Sequence, residues 1–333
     1  MQTVIFKNPP VITFSSSVAG PKESEGELSH FFDYKLKDDM YGEKTFEKAE
    51  AKIMYSAIDI LLSKSKIKED KIGLILAGDL LNQIISSTFA VRNFNCPYLG
   101  IYNACSTFTE ALLVGSLFID RRYKDNIICA TSSHFSSAER QYRYPLELGS
   151  VRPPLSQWTV TGAGACMLNV KGEGPKITMS TVGKIVDFGV KDANNMGGAM
   201  APACADTLLT FFKETKLEVD DFDLIITGDL GVFGTRVFKD LMWEKGYDVS
   251  GNHVDCGELV FNINEKEYQG GSGAGCSSLV FCSFFMELFK KKKLNRVILI
   301  ATGALLSSLS ALQGESIPSI AHLVCIENME GKK

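Results

Sequence analysis

Residues 103–133, NACSTFTEALLVGSLFIDRRYKDNIICATSS, and residues 274–304, AGCSSLVFCSFFMELFKKKKLNRVILIATGA, have the same length and the same layout. Each opens on a cysteine in a small-residue turn, runs through an apolar helical stretch, and ends in a strand closed by Thr, Ser or Gly. Cys105 maps to Cys276 and Thr131 to Thr302 at one offset of 171, so the segment between the markers aligns without a gap. A second echo, LILAGDLL at 74–81 and LIITGDLG at 224–231, pairs Asp79 with Asp229. The chain is therefore expected to be two copies of one α/β unit, residues 1–172 and 173–333.

The two repeated helices differ from the others. EKAEAKIMYSAIDILLSK, at 47–64, carries its apolar residues on one face, as a helix covering a sheet does. In SSLVFCSFFMELF, at 277–289, almost every position is apolar, and such a helix must be covered on all sides. A largely parallel sheet in turn needs helices on both faces. Two halves placed back to back satisfy both demands, which predicts a five-layer αβαβα sandwich with Cys105 at the buried tip of a central helix.

Composition narrows the function. The chain has 333 residues, 45% of them hydrophobic and 22% charged, and a formal charge of −4. No run reaches the ~20 apolar residues of a membrane helix. Without a basic groove interleaved with aromatics, nucleic-acid binding is not expected. The Lys-rich stretch 290–296 reads as the solvated end of a helix, with attraction to anionic lipid as the alternative. MQTVIFKNPPVITF reads as a strand and not as a cleaved leader, so the expected compartment is the cytoplasm. Nine cysteines stand singly in apolar contexts, as reduced core residues do. His253 and Cys256 have no second pair of ligands at metal spacing, so no metal or cofactor is expected.

Cys105 stands where a helix begins, and a helix N-terminus favours the thiolate. Ser106 follows it. Thr131, Ser132, Ser133 and His134 crowd the carboxyl end of a strand, where α/β sheets hold ligands. Arg140 and Arg143 are spaced to share a helical face and could clamp carboxylates, with surface salt bridging as the alternative. The symmetry of Asp79 and Asp229 favours helix capping, although Asp79 is also kept among the candidate pocket residues. The glycines of GGSGAG, 270–275, read as positions of close backbone approach, with Ser272 in their midst.

The order of LAGDLLNQ, ACST, ATSSH, AERQYRYP, TVTGAGA, AMAPACADT, TGDL, DCG, GGSG, RVILIATGALLS and ESIPSIAH resembles, over nearly the whole chain, the stage V sporulation protein AD family of the thiolase-like superfamily. The resemblance implies binding of dipicolinic acid, alone or with calcium. It also implies work in dipicolinate uptake beside integral membrane proteins of the same sporulation operon, peripherally at the spore inner membrane. Many thiolase-fold proteins are dimers, so a homodimer is admitted. Cys105 falls at the nucleophile position of the related condensing enzymes. Their helper histidine and asparagine are replaced, by Gly228-Asp229 at the first position and by Ser272 at the second. A non-catalytic ligand-binding protein is expected, with Cys105, Ser106, Asp79, Ser132, Ser133, His134, Arg140, Arg143 and Ser272 around the ligand. The alternative is a condensing-type acyltransferase using Cys105.

Overall fold

The computed structural model describes residues 1–142, 152–262 and 269–328. The main path of the first half's sheet is built from Val11–Ala19, Leu74–Gly78, Tyr98–Gly100, Asn126–Ser133 and Gly162–Asn169. In chain order they lie 3-2-4-5-1 across the sheet, with the fifth antiparallel to its neighbours. The second half repeats this order with Lys176–Thr181, Leu224–Thr227, His253–Asp255, Arg296–Ala304 and Ser319–Glu327. The two sheets meet edge to edge at one residue pair, Val11 with Lys176. The sequence repeat is therefore a topological repeat.

The amino-terminal apolar run is two strands. Pro9 and Pro10 lack the N–H a ladder requires, and the chain breaks there. Thr3–Ile5 crosses to pair with Lys176–Thr181 of the second half, while Val11–Ala19 joins the first. The helix Phe46–Ser65 forms as its periodicity predicts, with Thr45 accepting a hydrogen bond from the Lys48 N–H at its start. Its buried face, including Ile53, Met54, Ile58 and Leu61, covers the outside of the first sheet. Met196–Thr215 does the same for the second.

Between the sheets lie the two repeated helices. Thr107–Asp120 packs on strands of both halves. Its partner is Ala274–Val280, a π-helical turn Phe281–Phe285, and Met286–Lys290. Phe108 meets Phe281 at 6.0 Å between ring centres, and both are fully buried. Of the apolar stretch 277–289, Ser277–Ser283, Phe285 and Phe289 are buried as expected, whereas Phe284, Met286, Glu287 and Leu288 are half-buried. Its last turn emerges into solvent, where Lys290 and Lys291 reach back to Glu287. Among the described residues no helix is long and apolar enough to cross a membrane.

Close approach of helix to sheet is set by Gly164, where a Cβ would collide with the Ser278 carbonyl of the second central helix. Gly164→Ala should destabilise the protein by about 1–3 kcal/mol through overpacking, seen as a lower urea midpoint at constant m-value; an unchanged midpoint would contradict this packing.

The interior also holds carboxyl groups in number. Glu23, Glu50, Asp79, Glu139, Asp229 and Asp255 are all buried. Burial pushes Glu23 and Glu50 up to about 8 and Asp255 to about 7. The folded protein therefore keeps protons that the unfolded chain has already released, and this contribution to stability is lost as pH rises through those values. Buried His134, His253 and His322 are shifted the other way, also by desolvation. Their contribution is complete above the ordinary histidine value of about 6.5. Between pH 6.5 and 8 the carboxyls decide the sign, and the melting temperature should fall as pH rises. A melting temperature that climbs across that window would show these carboxyls to be ionised in the fold.

Candidate functional site

The strand Tyr98–Gly100 leads into Ile101-Tyr102-Asn103 and a sharp turn at Ala104, whose φ of 49° lies in the left-handed region. A non-glycine residue held there costs about 1–3 kcal/mol. The surroundings fix it in place. The Asn103 carbonyl accepts from the Ser106 N–H and hydroxyl, at 3.0 and 2.9 Å, so Ser106 braces the turn. The Asn103 amide lies 3.2 Å from His322 Nε2, and a Cβ at Gly303 would strike the Asn103 carbonyl. The turn presents Cys105 two residues before the helix Thr107–Asp120, 6% exposed, in a chamber of about 40 Å³.

Opposite the thiol stand Ser272 and Asp229. Cys105 Sγ is 4.0 Å from Ser272 Oγ. The Ser272 hydroxyl donates to Asp229 Oδ2 at 3.1 Å, and the Gly273 N–H donates to the same oxygen at 3.0 Å. Thr302 Oγ1 donates to Oδ1 at 3.2 Å. Gly273, at φ 114°, is where only glycine fits, since a Cβ would press on Ser133 Oγ. The pull of the helix start toward the thiolate is overruled by this setting. Desolvation first, then the Asp229 charge and its hydrogen bond, push the Cys105 thiol well above its ordinary value. Asp229 itself is raised to about 6 by burial, against the pull of its hydrogen bonds.

The two repeated aspartates have parted. Asp79 caps, as symmetry suggested for both: its oxygens take the Leu81 N–H at 2.8 Å and the N–H and hydroxyl of Ser87 at 2.7 and 2.6 Å. It is therefore a structural residue behind the chamber wall. In the second half Asp255 does that work, accepting from the N–H groups of Leu230, Gly231 and Glu258. Asp229 is thereby free to face Cys105.

The donor cluster after Asn126–Ser133 is divided by the pleat, which sends successive side chains to opposite faces. Thr131 turns inward, donating to the Ala274 carbonyl at 2.7 Å. Ser133 braces the glycine turn by donating to the Val160 carbonyl and accepting from the Gly275 N–H. Ser132 turns outward to Glu50 at 3.2 Å. His134 is spent there too, with Nε2 2.8 Å from the Asp39 carbonyl, Nδ1 accepting from Ser136 N–H, and its ring against Phe46. Arg140 is exposed, 3.8 Å from Glu47 and over the Phe46 ring. Ser132, His134 and Arg140 thus lie away from the chamber, and Arg143 lies outside the described residues. His253 engages Thr227 Oγ1 at 2.9 Å, and among the described residues no cluster of three His, Cys, Asp or Glu side chains could hold a metal.

Of the candidate residues, the chamber brings together Cys105 and Ser272. It adds Glu139 and Thr159, which the sequence reading passed over, and Tyr102 and Met196 at its rim. Thr159 Oγ1 donates to Glu139 Oε1 at 2.9 Å, and Arg152 Nη1 donates to Glu139 Oε2 at 3.3 Å. Two larger openings are surface features: a groove of about 660 Å³ between Phe46–Ser65 and Ile85–Val91, and a cleft of about 1280 Å³ at the far end of the second central helix. Neither touches Cys105.

The Ser272 hydroxyl and the Gly273 N–H both point at Asp229, so neither is left for an oxyanion. Condensing chemistry depends on donors aimed at developing negative charge, each worth roughly 10²–10³ in rate.

Solved structures similar to this fold are condensing enzymes. 3-Oxoacyl-[acyl-carrier-protein] synthase III from Aquifex aeolicus VF5 matches 96% of this chain and 100% of its own, with a TM-score of 0.57 at 12% identity. A single-substitution variant of OleA from Xanthomonas campestris matches 98% of this chain and 100% of its own, with a TM-score of 0.61 at 13% identity. These likenesses establish the thiolase-like fold. A curated relative, stage V sporulation protein AD of Bacillus subtilis (strain 168), is 42% identical over 331 residues, which are 99% of this chain and 98% of that protein. The profile described as Stage V sporulation protein AD matches residues 1–327. With the profile spanning nearly the whole chain and the relative aligned end to end, the chain belongs to the stage V sporulation protein AD family.

Proposed function

We propose that this protein is a non-catalytic member of the thiolase fold that binds dipicolinic acid, alone or as its calcium chelate, in the Cys105 chamber. It would support dipicolinate uptake into the developing spore, working from the cytoplasmic side at the spore inner membrane with the membrane proteins of its operon. The observation that carries the non-catalytic part is the Cys105–Ser272–Asp229 group. A carboxyl occupies the place of a helper base, burial and that carboxyl push the thiol up, and the Ser272 hydroxyl and Gly273 N–H are both taken by Asp229. Family membership supports the sporulation role, and the surviving chamber over a helix start supports a small polar ligand.

The chamber is far smaller than the ~300 Å³ at the lower end of small-molecule pockets. Binding of a pyridine ring therefore requires its walls to part, and affinity is reduced by the free energy of that opening. A condensing-type acyltransferase remains the second reading, favoured by the place of Cys105 alone.

Calorimetric titration with dipicolinate, with and without calcium, tests the first reading directly. Cys105→Ser should leave the affinity nearly unchanged, because no thiolate is needed, whereas Cys105→Trp should abolish binding by filling the chamber. Binding that survives Cys105→Trp would move the ligand to another opening. Incubation with acetyl-CoA or malonyl-CoA should leave the intact mass unchanged; an acyl adduct on Cys105 would establish the second reading instead.

A further inference from the structure

We infer that Arg152 is the cation that meets a ligand carboxylate in the Cys105 chamber, and that Glu139 is the resident carboxylate the ligand displaces from it. This rests on the chamber being the site of a planar dicarboxylate, as proposed above. The difficulty for such a ligand is charge. Asp229 and Glu139 are both at the chamber, and a dianion placed between them needs a positive partner. His134 and Arg140 face elsewhere.

Arg152 is built for the part. One guanidinium nitrogen, Nη1, holds Glu139 Oε2, and Nη2 is fixed by the Gln157 carbonyl. Its charged plane sits over the rings of Phe135 and Trp158, at 5.6 and 5.1 Å, and those rings stack on each other at 4.0 Å. The side chain is only 21% exposed, so its orientation is set before any ligand arrives. Gln157 also donates from Nε2 to the Asp229 carbonyl at 2.7 Å, tying the Arg152 strap to the chamber's far wall. Glu139 has a second partner in Thr159. It can release Arg152 without losing every hydrogen bond. The exchange gives the ligand its anchor and leaves Glu139 on the Thr159 hydroxyl.

The test is calorimetric titration of dipicolinate into the wild type, Arg152→Ala, Arg152→Lys and Glu139→Gln. Arg152→Ala should weaken binding roughly ten- to hundredfold, the cost of one charge-assisted contact, and Arg152→Lys should recover part of it. Glu139→Gln should bind more tightly than the wild type, since the competitor's charge is gone while the Thr159 contact is retained. That gain cannot arise from a damaged fold, which keeps the inference testable even where Arg152→Ala is poorly folded. Failure of the wild type to bind overturns the ligand reading and this inference with it. Wild-type binding with unchanged affinity in Arg152→Ala, or weakened affinity in Glu139→Gln, overturns the Arg152 assignment alone.

Discussion

Everything at the site follows from the burial of two apolar helices between two sheets. A helix with no wet face must lie in the middle of the molecule, and its first turn then opens into a dry space walled by the ends of strands from both halves. Phe108, Leu112, Leu279, Phe281 and Phe285 share one core, so the starts of the two central helices are held at fixed separation. The strained turn at Ala104 persists because Gly303, Asn103 and His322 leave the backbone no alternative. Cys105 is positioned by packing before any chemistry is considered.

The same dryness decides what the thiol can do. A helix start favours negative charge, but that effect is worth ~0.3–1 kcal/mol at exposed sites and up to ~2 when partly buried. Burying an unpaired charge costs far more, and a carboxyl placed opposite adds repulsion. In this chamber desolvation and Asp229 act in the same direction, and the dipole is outweighed. The fold that this protein shares with the similar solved structures therefore does not by itself make the thiol a nucleophile. What the sulfur can do depends on the groups facing it, and here the Ser272 hydroxyl and the Gly273 N–H both donate to Asp229.

The divergence between the halves is where the site arises. Asp79 and Asp229 occupy equivalent places in the repeat, yet only Asp79 caps its loop. In the second half Asp255 takes the N–H groups that would have claimed Asp229. A duplicated scaffold can spare one member of a symmetric pair once another residue relieves it of its structural duty.

What the sequence determined by itself was periodic or translational. The 171-residue offset, the one-faced helix at 47–64 and the almost wholly apolar run at 277–289 required two matching halves around a covered central layer, because burial of apolar surface depends on pattern alone. The placement of Cys105 at a helix start was legible for the same reason, as was Ser272 through its resemblance to a known position. Only the tertiary structure decided which neighbours face the thiol. Ser132, Ser133 and His134 are adjacent in the chain, but the pleat divides them between the two faces of a sheet. Asp229 lies 124 residues from Cys105, and whether it caps or faces the chamber depends on Asp255 reaching the same N–H groups first. Hydrogen-bond competition of that kind is settled by three-dimensional proximity, which no spacing along the chain encodes.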